Sequence, residues 1–450
     1  MLDHDSITRW LSAIDDTIHP DSPEPKSENK HKRKHPAADS QRRKRTLPSP
    51  PISMSSQEGS PSKRQRLCPD PDKTPTRYST SSFVLSQDAR SEQASTKSSA
   101  SQRSGTSSPT KNIADLRNEK LVAFHNFAGL VAVPPPLHAV VRDIRKLATG
   151  RGVLTSEDAE ALRNTDNDIG DFRDDLSPPS LFIDTSGTRS NLGQLPPINR
   201  LVDEIWDEAI YCERHALPEA AWNSSVHFPL LQTALCYASV NDRAKQQQQQ
   251  FKIKPTNVST INVEKRYIPR TQRFRHNKRI DFCLYLDVAD DSPLEDSIAS
   301  KVRTRPHDSI NHTEAPWLSR MPICVGIETK KTGEDWHAAL EQIAIWTTAH
   351  WKRLRELTAN TESLPFLPAV IVQGHDWSFV AATEGKVLEG GERQTVVWSK
   401  IPIGSTEGVE GICKIIAVLQ YLASWSAETY WPWFRQAVLE QTPAPVEHSG

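Results

Sequence analysis

Apolar positions are sparse over the first quarter of the chain and dense after about residue 196. Near the start, SITRWLSAID (6–15) sets Ile7, Trp10, Leu11 and Ile14 at helical spacing behind Ser6 as an N-cap. This predicts a short amphipathic helix within 1–19. Residues 20–112 are rich in Ser, Pro, Lys and Arg and poor in large apolar side chains. Such a composition does not bury enough surface to offset its ordering entropy, so a disordered region is expected there. Helical periodicity on both sides of Pro134-Pro135-Pro136, followed by a loop-rich stretch, makes 113–195 an extension ahead of the main domain.

From 196 to 440 the pattern tightens into alternating elements. NRLVDEIWDEAIYCERHA (199–216) reads as a helix, and 217–240 as a second helical region broken by Pro229. STINVEKRYIPR (259–270) and KRIDFCLYLDV (278–288) read as strands, 289–321 as a long polar loop, and PICVGIETKK (322–331) as a strand. A long helix (334–357), two strands within 367–384 and 395–403, and a helix from 410 interrupted at Pro432 complete the order. That order predicts an α/β fold, helices packed on a mixed sheet, with a disordered tail at 441–450.

Whole-chain charge adds little, because the 450 residues carry a formal net charge of −1. The six cysteines form no C-x-x-C pair and show no zinc spacing, which predicts buried free thiols in a reducing compartment. The first twenty residues hold four Asp and no apolar stretch, so no signal peptide is expected. No apolar run approaches the roughly 18 residues a membrane span requires. Local charge is more informative. KHKRKH (30–35) and RRKR (42–45) are spaced like a bipartite nuclear-import signal, with KRQR (63–66) beyond them. They predict a nuclear protein that engages an import receptor through 30–45.

The chemistry concentrates in CVGIETKK (324–331). Strand alternation puts Gly326, Glu328 and Lys330 on one side, with Gly326 leaving space beside the acid and the base. In the preceding strand Ile280, Phe282, Leu284 and Leu286 share a face and Asp281 takes the other with Cys283 and Tyr285. Were the two strands neighbours, Asp281, Glu328 and Lys330 would converge. Two carboxylates in a partly dry site repel, and a divalent cation such as Mg²⁺ or Mn²⁺ removes that cost through oxygen ligands. A nearby lysine can orient water and steady charge at a phosphate. Glu-x-Lys alone carries no weight, since Glu24-Pro25-Lys26 and Glu384-Gly385-Lys386 also occur. The apolar lead-in, the preceding Asp strand and the following helix single out the middle copy. Surface ion pairing remains the plain alternative for Asp281 with Arg279 or Lys278, and for Glu328 with Lys330.

The order strand–Asp, strand–Glu-x-Lys, helix resembles the PD-(D/E)XK nuclease superfamily. EAAWNSSVHFPLL (219–231), KRIDFCLYLD (278–287), ICVGIETKK (323–331) and LEQIAIWTTAHW (340–351) look most like fungal nuclease-like members. Ile280 stands where the superfamily's name-giving proline would precede Asp281. The resemblance implies a restriction-endonuclease-like core and a metal-dependent nuclease. Asp281, Glu328, the Thr329 carbonyl and Glu219 would hold Mg²⁺ or Mn²⁺, with Glu213 second to Glu219. Asp281, Glu328, Lys330 and Gln342 would be catalytic. Gln342 with Trp346 is similar to the Q-x-x-x-Y helix pattern, Trp replacing Tyr.

Residues 252–279 hold nine Lys or Arg against one Glu, with Tyr267, Phe274 and His276 interleaved. Lys265, Arg266, Arg270, Arg273, Arg275, Lys278 and Arg279 are the expected contacts to nucleic acid, DNA ahead of RNA. The aromatic residues would stack on unpaired bases; a solvated hairpin face is the alternative. His375 and Asp376 either join the site or form a turn. YWPWF (430–434) reads as part of the core. Two other functions stay open: a catalytically inactive nuclease fold acting as a nuclear DNA-binding or scaffolding module, and an interaction protein whose tail does the binding.

Overall fold

A computed structural model describes residues 108–440, apart from 130, 247–249, 270–277, 290–291, 304–308 and 335. The expected helix within 1–19, the basic clusters, nearly all of the 20–112 region, Arg270, Arg273, Arg275, Phe274, His276 and the 441–450 tail lie outside the described residues.

Seven strands form one mixed sheet in the order β1-β7-β6-β5-β4-β3-β2. They are β1 Val122–Asn126, β2 Phe251–Asn257, β3 Phe282–Val288, β4 Ile323–Lys330, β5 Leu367–Gln373, β6 Asp376–Val387 and β7 Arg393–Ser405. β1–β7 and β4–β5 pair in parallel, and the other neighbours are antiparallel. β3, β4 and β5 are near-continuous apolar runs because both faces are covered. On one face Phe282, Leu284, Val325, Ile327 and Val370 share a core with the helices Pro135–Ala148, Phe228–Cys236 and Val409–Trp425. On the other, Cys283, Ile323, Ala369 and Ile371 pack against the Trp336–Leu357 helix, which also meets Pro109–Asn118. Helices on both faces of a mixed sheet match the predicted restriction-endonuclease-like α/β architecture.

Several elements differ from the pattern-based expectation. Val122–Asn126, expected to be helical, is the edge strand β1, held by β7. Residues 259–269 are not a strand; Val263 makes one isolated bridge to Thr313, and the strand is the earlier β2. The polar stretch after Val288 contains the helix Pro293–Arg303, where Leu294, Ile298 and Val302 bury one stripe. Neither Pro229 nor Pro432 ends a helix. A π turn (Asn223–His227, Ser426–Tyr430) precedes each, and the proline enters at the first turn of the next segment. A wider turn there removes the demand for the N–H that proline lacks. The expected core placement of 430–434 holds: Tyr430, Trp431, Trp433 and Phe434 are buried.

The outer edge of β2 is closed by a side chain. Asn241 accepts from the Ile253 N–H at 2.7 Å and donates to the Ile253 carbonyl at 2.8 Å, imitating a neighbouring strand. Of the described cysteines, Cys212, Cys283, Cys324 and Cys413 are buried free thiols, whereas Cys236 is exposed.

Among the buried histidines, His227, His312 and His350 are held neutral by their surroundings. His350 stacks on His312 at 4.7 Å, and the His312 ring meets the Trp346 indole edge-on at 4.3 Å. Burial drives His350 down to about 3 and His312 well below its usual range. Burial, with the charge of His375 beside it, brings His227 to about 4 against a backbone bond that opposes the shift. An unfolded histidine titrates near ~6.5. Stability from these groups is therefore full above that pH and lost as pH falls through it, because only the unfolded chain takes up the protons. Urea midpoints at pH 7.5 and pH 5 in EDTA are expected to show this loss. The slope near pH 5 is about 1.4 kcal/mol per pH unit for each histidine. His350→Gln is expected to remove one such increment, and an unchanged slope would contradict the assignment.

Candidate active site

The antiparallel register sets Phe282 opposite Ile327 and Cys283 opposite Gly326, which brings Asp281 level with the end of β4. The expected alternation fails at the start of β3. Ile280 packs with Cys283 and Tyr285, not with Phe282, Leu284 and Leu286. A bend at Asp281 separates the two phases. Freed from the pleat, the Asp281 carboxylate turns to the edge of β4. Its Oδ2 accepts from the Thr329 N–H and the Thr329 hydroxyl, each at 2.9 Å.

Glu328 is completely buried. Lys330 donates from Nζ to Glu328 Oε1 at 2.5 Å and to the Thr329 carbonyl at 2.7 Å, and lies 3.5 Å from Glu219 Oε2. Glu219 opens a short helix, Glu219–Trp222, which places its carboxylate at the margin of this group. Burial, reinforced by the Asp281 charge, pushes Glu328 well above the ordinary carboxylate range despite Lys330. Burial also raises Glu219, with Asp281 and Glu334 adding to the effect against Lys330. Burial alone would lower Lys330, but Glu328, Glu219 and Asp281 together outweigh it and hold the ammonium above its usual value. One lysine thus serves three carboxylates.

The other expected positions have different surroundings. An added Cβ on Gly326 would come within 3.0 Å of the Trp346 indole and 3.2 Å of Ile280. The expected space is therefore filled by Trp346, a core residue. Gln342 donates to the Arg279 carbonyl at 3.1 Å, so it supports the backbone leading into Asp281 and does not reach the carboxylates. Glu213 is directed elsewhere, its Oε2 3.3 Å from His375 Nε2. Gly374 and His375 form the turn between β5 and β6; His375 is buried and Asp376 exposed. Of the described residues of the basic stretch, Lys252, Lys254, Lys265, Arg266 and Arg279 are exposed and Lys278 is half-buried. Arg266 bonds Glu264 at 2.8 Å and Lys278 bonds Glu341 at 2.7 Å. Tyr267, expected to stack on a base, is buried and donates to Glu356 at 2.7 Å.

Residue-level reading missed the support beneath Lys330. The Gly374 N–H donates to the Lys330 carbonyl at 2.8 Å, and His227 Nε2 meets the Gly374 carbonyl at 2.9 Å. Gly374 has φ +59°, and a Cβ there would strike the Thr332 hydroxyl, so glycine is required. The available signal was the QGHD turn itself.

A seven-stranded mixed sheet with an aspartate and a Glu-x-Lys at the ends of neighbouring strands defines a nuclease-like α/β protein. A family model described as the PD-(D/E)XK nuclease superfamily matches residues 168–431, more than half of the chain, and the chain belongs to that superfamily. No curated protein and no solved structure matches it.

Metal binding by the superfamily can be tested against these side chains. Among the described residues, no three His, Cys, Asp or Glu side chains stand ready as a complete ligand set. Glu328 Oε2, however, is buried without a hydrogen-bond partner. The donors nearby are all oxygens, which suits a hard divalent cation. The residues fit such an ion through Asp281, Glu328 and the Thr329 carbonyl.

The Asp281–Thr329 link also separates structure from chemistry. Asp281→Asn keeps an acceptor for the Thr329 N–H and is expected to leave the urea midpoint near that of the parent. Asp281→Ala strands a buried donor and is expected to cost about 1–3 kcal/mol. Equal stability of the two variants would show that the bond carries no structural weight.

Proposed function

We propose that the chain hydrolyses phosphodiester bonds in nucleic acid, DNA ahead of RNA, with Mg²⁺ or Mn²⁺. The observation that carries this reading is a fully buried Glu328 paired with Lys330, one residue from the Thr329 that anchors Asp281. Burying a carboxylate is costly unless a charge or an ion compensates it. When bound, the cation would polarise the phosphoryl oxygen and lower the pKa of a coordinated water. Asp281, Glu328 and the Thr329 carbonyl would hold it, with Glu219 at the margin. Lys330, cationic and tethered at the strand end, would orient the attacking water and stabilise charge on the phosphate. Thr329 fixes the Asp281 carboxylate, and the Gly374 turn fixes the carbonyl end of Lys330. Gln342 would act through the Arg279 carbonyl and not on substrate.

Lys330 itself favours a second reading. Its ammonium already occupies Glu328 Oε1 and the Thr329 carbonyl, two of the atoms an ion would need. A chain in which that contact never opens would bind nucleic acid without cutting it. The nuclear address and the import receptor rest on the basic clusters within 30–45 alone.

The deciding assay uses the full-length chain, because β1 belongs to the sheet. Single- and double-stranded DNA and RNA are incubated with Mg²⁺, Mn²⁺ or EDTA. Metal-dependent cleavage is expected, reduced about a hundredfold or more in both Glu328→Ala and Lys330→Ala. Cleavage that survives Glu328→Ala places the chemistry elsewhere. A folded parent that cuts nothing supports the binding module.

A further inference from the structure

A recess lies at the outer margin of the sheet, beside β2. It is a cleft of about 500 Å³ lined by four cations, Arg200, Lys245, Lys252 and Lys254, and by Glu204, with Asp242 and Asp287 just outside the lining. Its accessible apolar floor is Pro229 and Pro255; Leu235 and Ile253 lie beneath it, buried, with Gln232 and Thr233 beside them. Lys252 and Lys254 share the exposed side of β2, opposite Phe251, Ile253 and Pro255, and border the cleft from the strand edge. This cleft is built from the first part of the basic stretch, before the segment expected to contact nucleic acid.

The chemistry of the walls narrows the occupant. An extended peptide would add to β2 through backbone bonds. Asn241 already uses both polar groups of Ile253, and Pro255 has no N–H to offer. Recognition is left to cationic side chains over an apolar floor, which suits an anion with a flat apolar part. Three rim cations have carboxylate neighbours: Lys254 with Asp287 at 2.5 Å, Lys245 with Asp242 at 2.9 Å, Arg200 with Glu204 at 3.7 Å. The Lys245 and Arg200 pairs are exposed, so each is worth under about 1 kcal/mol and a phosphate can compete, whereas Asp287 is half-buried. A duplex would offer phosphates but keep its bases stacked away from the floor. An unpaired strand covers both surfaces.

The cleft also connects to the site. Lys254 and Lys252 stand three and five residues from Asn257, about 10 and 17 Å along an extended strand. Asn257 pairs with Phe282, next to Asp281, and the Val258 N–H donates to the Asp281 carbonyl at 2.7 Å. A strand passing the carboxylates reaches the cleft within a few nucleotides. We propose that this cleft is a subsite for unpaired nucleic acid, one base resting against Pro229 and Pro255 and its flanking phosphates drawn to the cations that border it. The ligand class rests on the nuclease reading above.

The cleft contains its own reporter, the exposed Cys236 thiol. The full-length chain carries Glu328→Ala to prevent turnover and Cys68→Ser to leave Cys236 as the accessible thiol. Binding of a fluorescent (dT)12, its RNA counterpart and a 12-base-pair duplex is followed by anisotropy across a salt series. Cys236 modification by a thiol reagent is timed in parallel. Single strands are expected to bind tighter than the duplex and to slow modification at least fivefold. Lys252→Ala with Lys254→Ala is expected to weaken single-strand binding about tenfold, to flatten the salt slope by about 1.4 and to abolish protection. An unchanged salt slope, or unprotected Cys236 with the strand saturating, overturns the subsite and leaves metal-dependent cleavage by the parent untouched. Protection by an acidic peptide but not by either strand overturns it as well. A chain that neither binds nor cleaves nucleic acid overturns both readings.

Discussion

A carboxylate with no access to solvent sets the terms for this site. Glu328 lies inside the sheet, where an ionised oxygen is stable only beside a compensating charge. Lys330 supplies that charge from two positions along the same strand, and Asp281 and Glu219 draw on the same ammonium. The neighbouring structure is arranged around keeping that lysine in reach. The Gly374 turn bonds the Lys330 carbonyl, His227 bonds the turn, and Thr329 ties Asp281 to the strand between the two.

The fold makes this grouping rigid by covering both faces of β3, β4 and β5. Trp346 seals one side through the gap at Gly326, and the helices from Phe228 and Val409 close the other. The charged groups are confined to the ends of strands that cannot tilt without disturbing two cores. Glu219 alone arrives from a helix outside the sheet, and it makes the longest contact with Lys330.

Much of this was legible in the residues. The apolar run into Glu328-x-Lys330 was sufficient to mark a buried strand ending in charge, and Asp281 before FCLYL marked its neighbour. What failed did so for local reasons. Alternation assigned Ile280 to the wrong face because one bend at Asp281 resets the phase, and a period-two pattern has no memory across a bend. β1 is five residues between helices and is a strand only because β7 is beside it. Helix Pro293–Arg303 was hidden by its polar surroundings, its stripe being only Leu294, Ile298 and Val302. Tyr267 looked like a stacking aromatic, since sequence does not reveal that Glu356 and Arg353 meet its hydroxyl inside the fold.

The amide of Asn241 has a consequence for how copies of this chain can meet. A sheet margin with free N–H and C=O groups is a template that any extended segment, including one from a partly unfolded copy, can extend into a fibril. One side chain, seated on both polar groups of Ile253, interrupts that template near its centre, and Pro255 interrupts it again two residues on. Strand-to-strand pairing at β2 is thereby interrupted at both positions. An edge so interrupted is left facing solvent, open to ligands bound by side chains and not by backbone pairing.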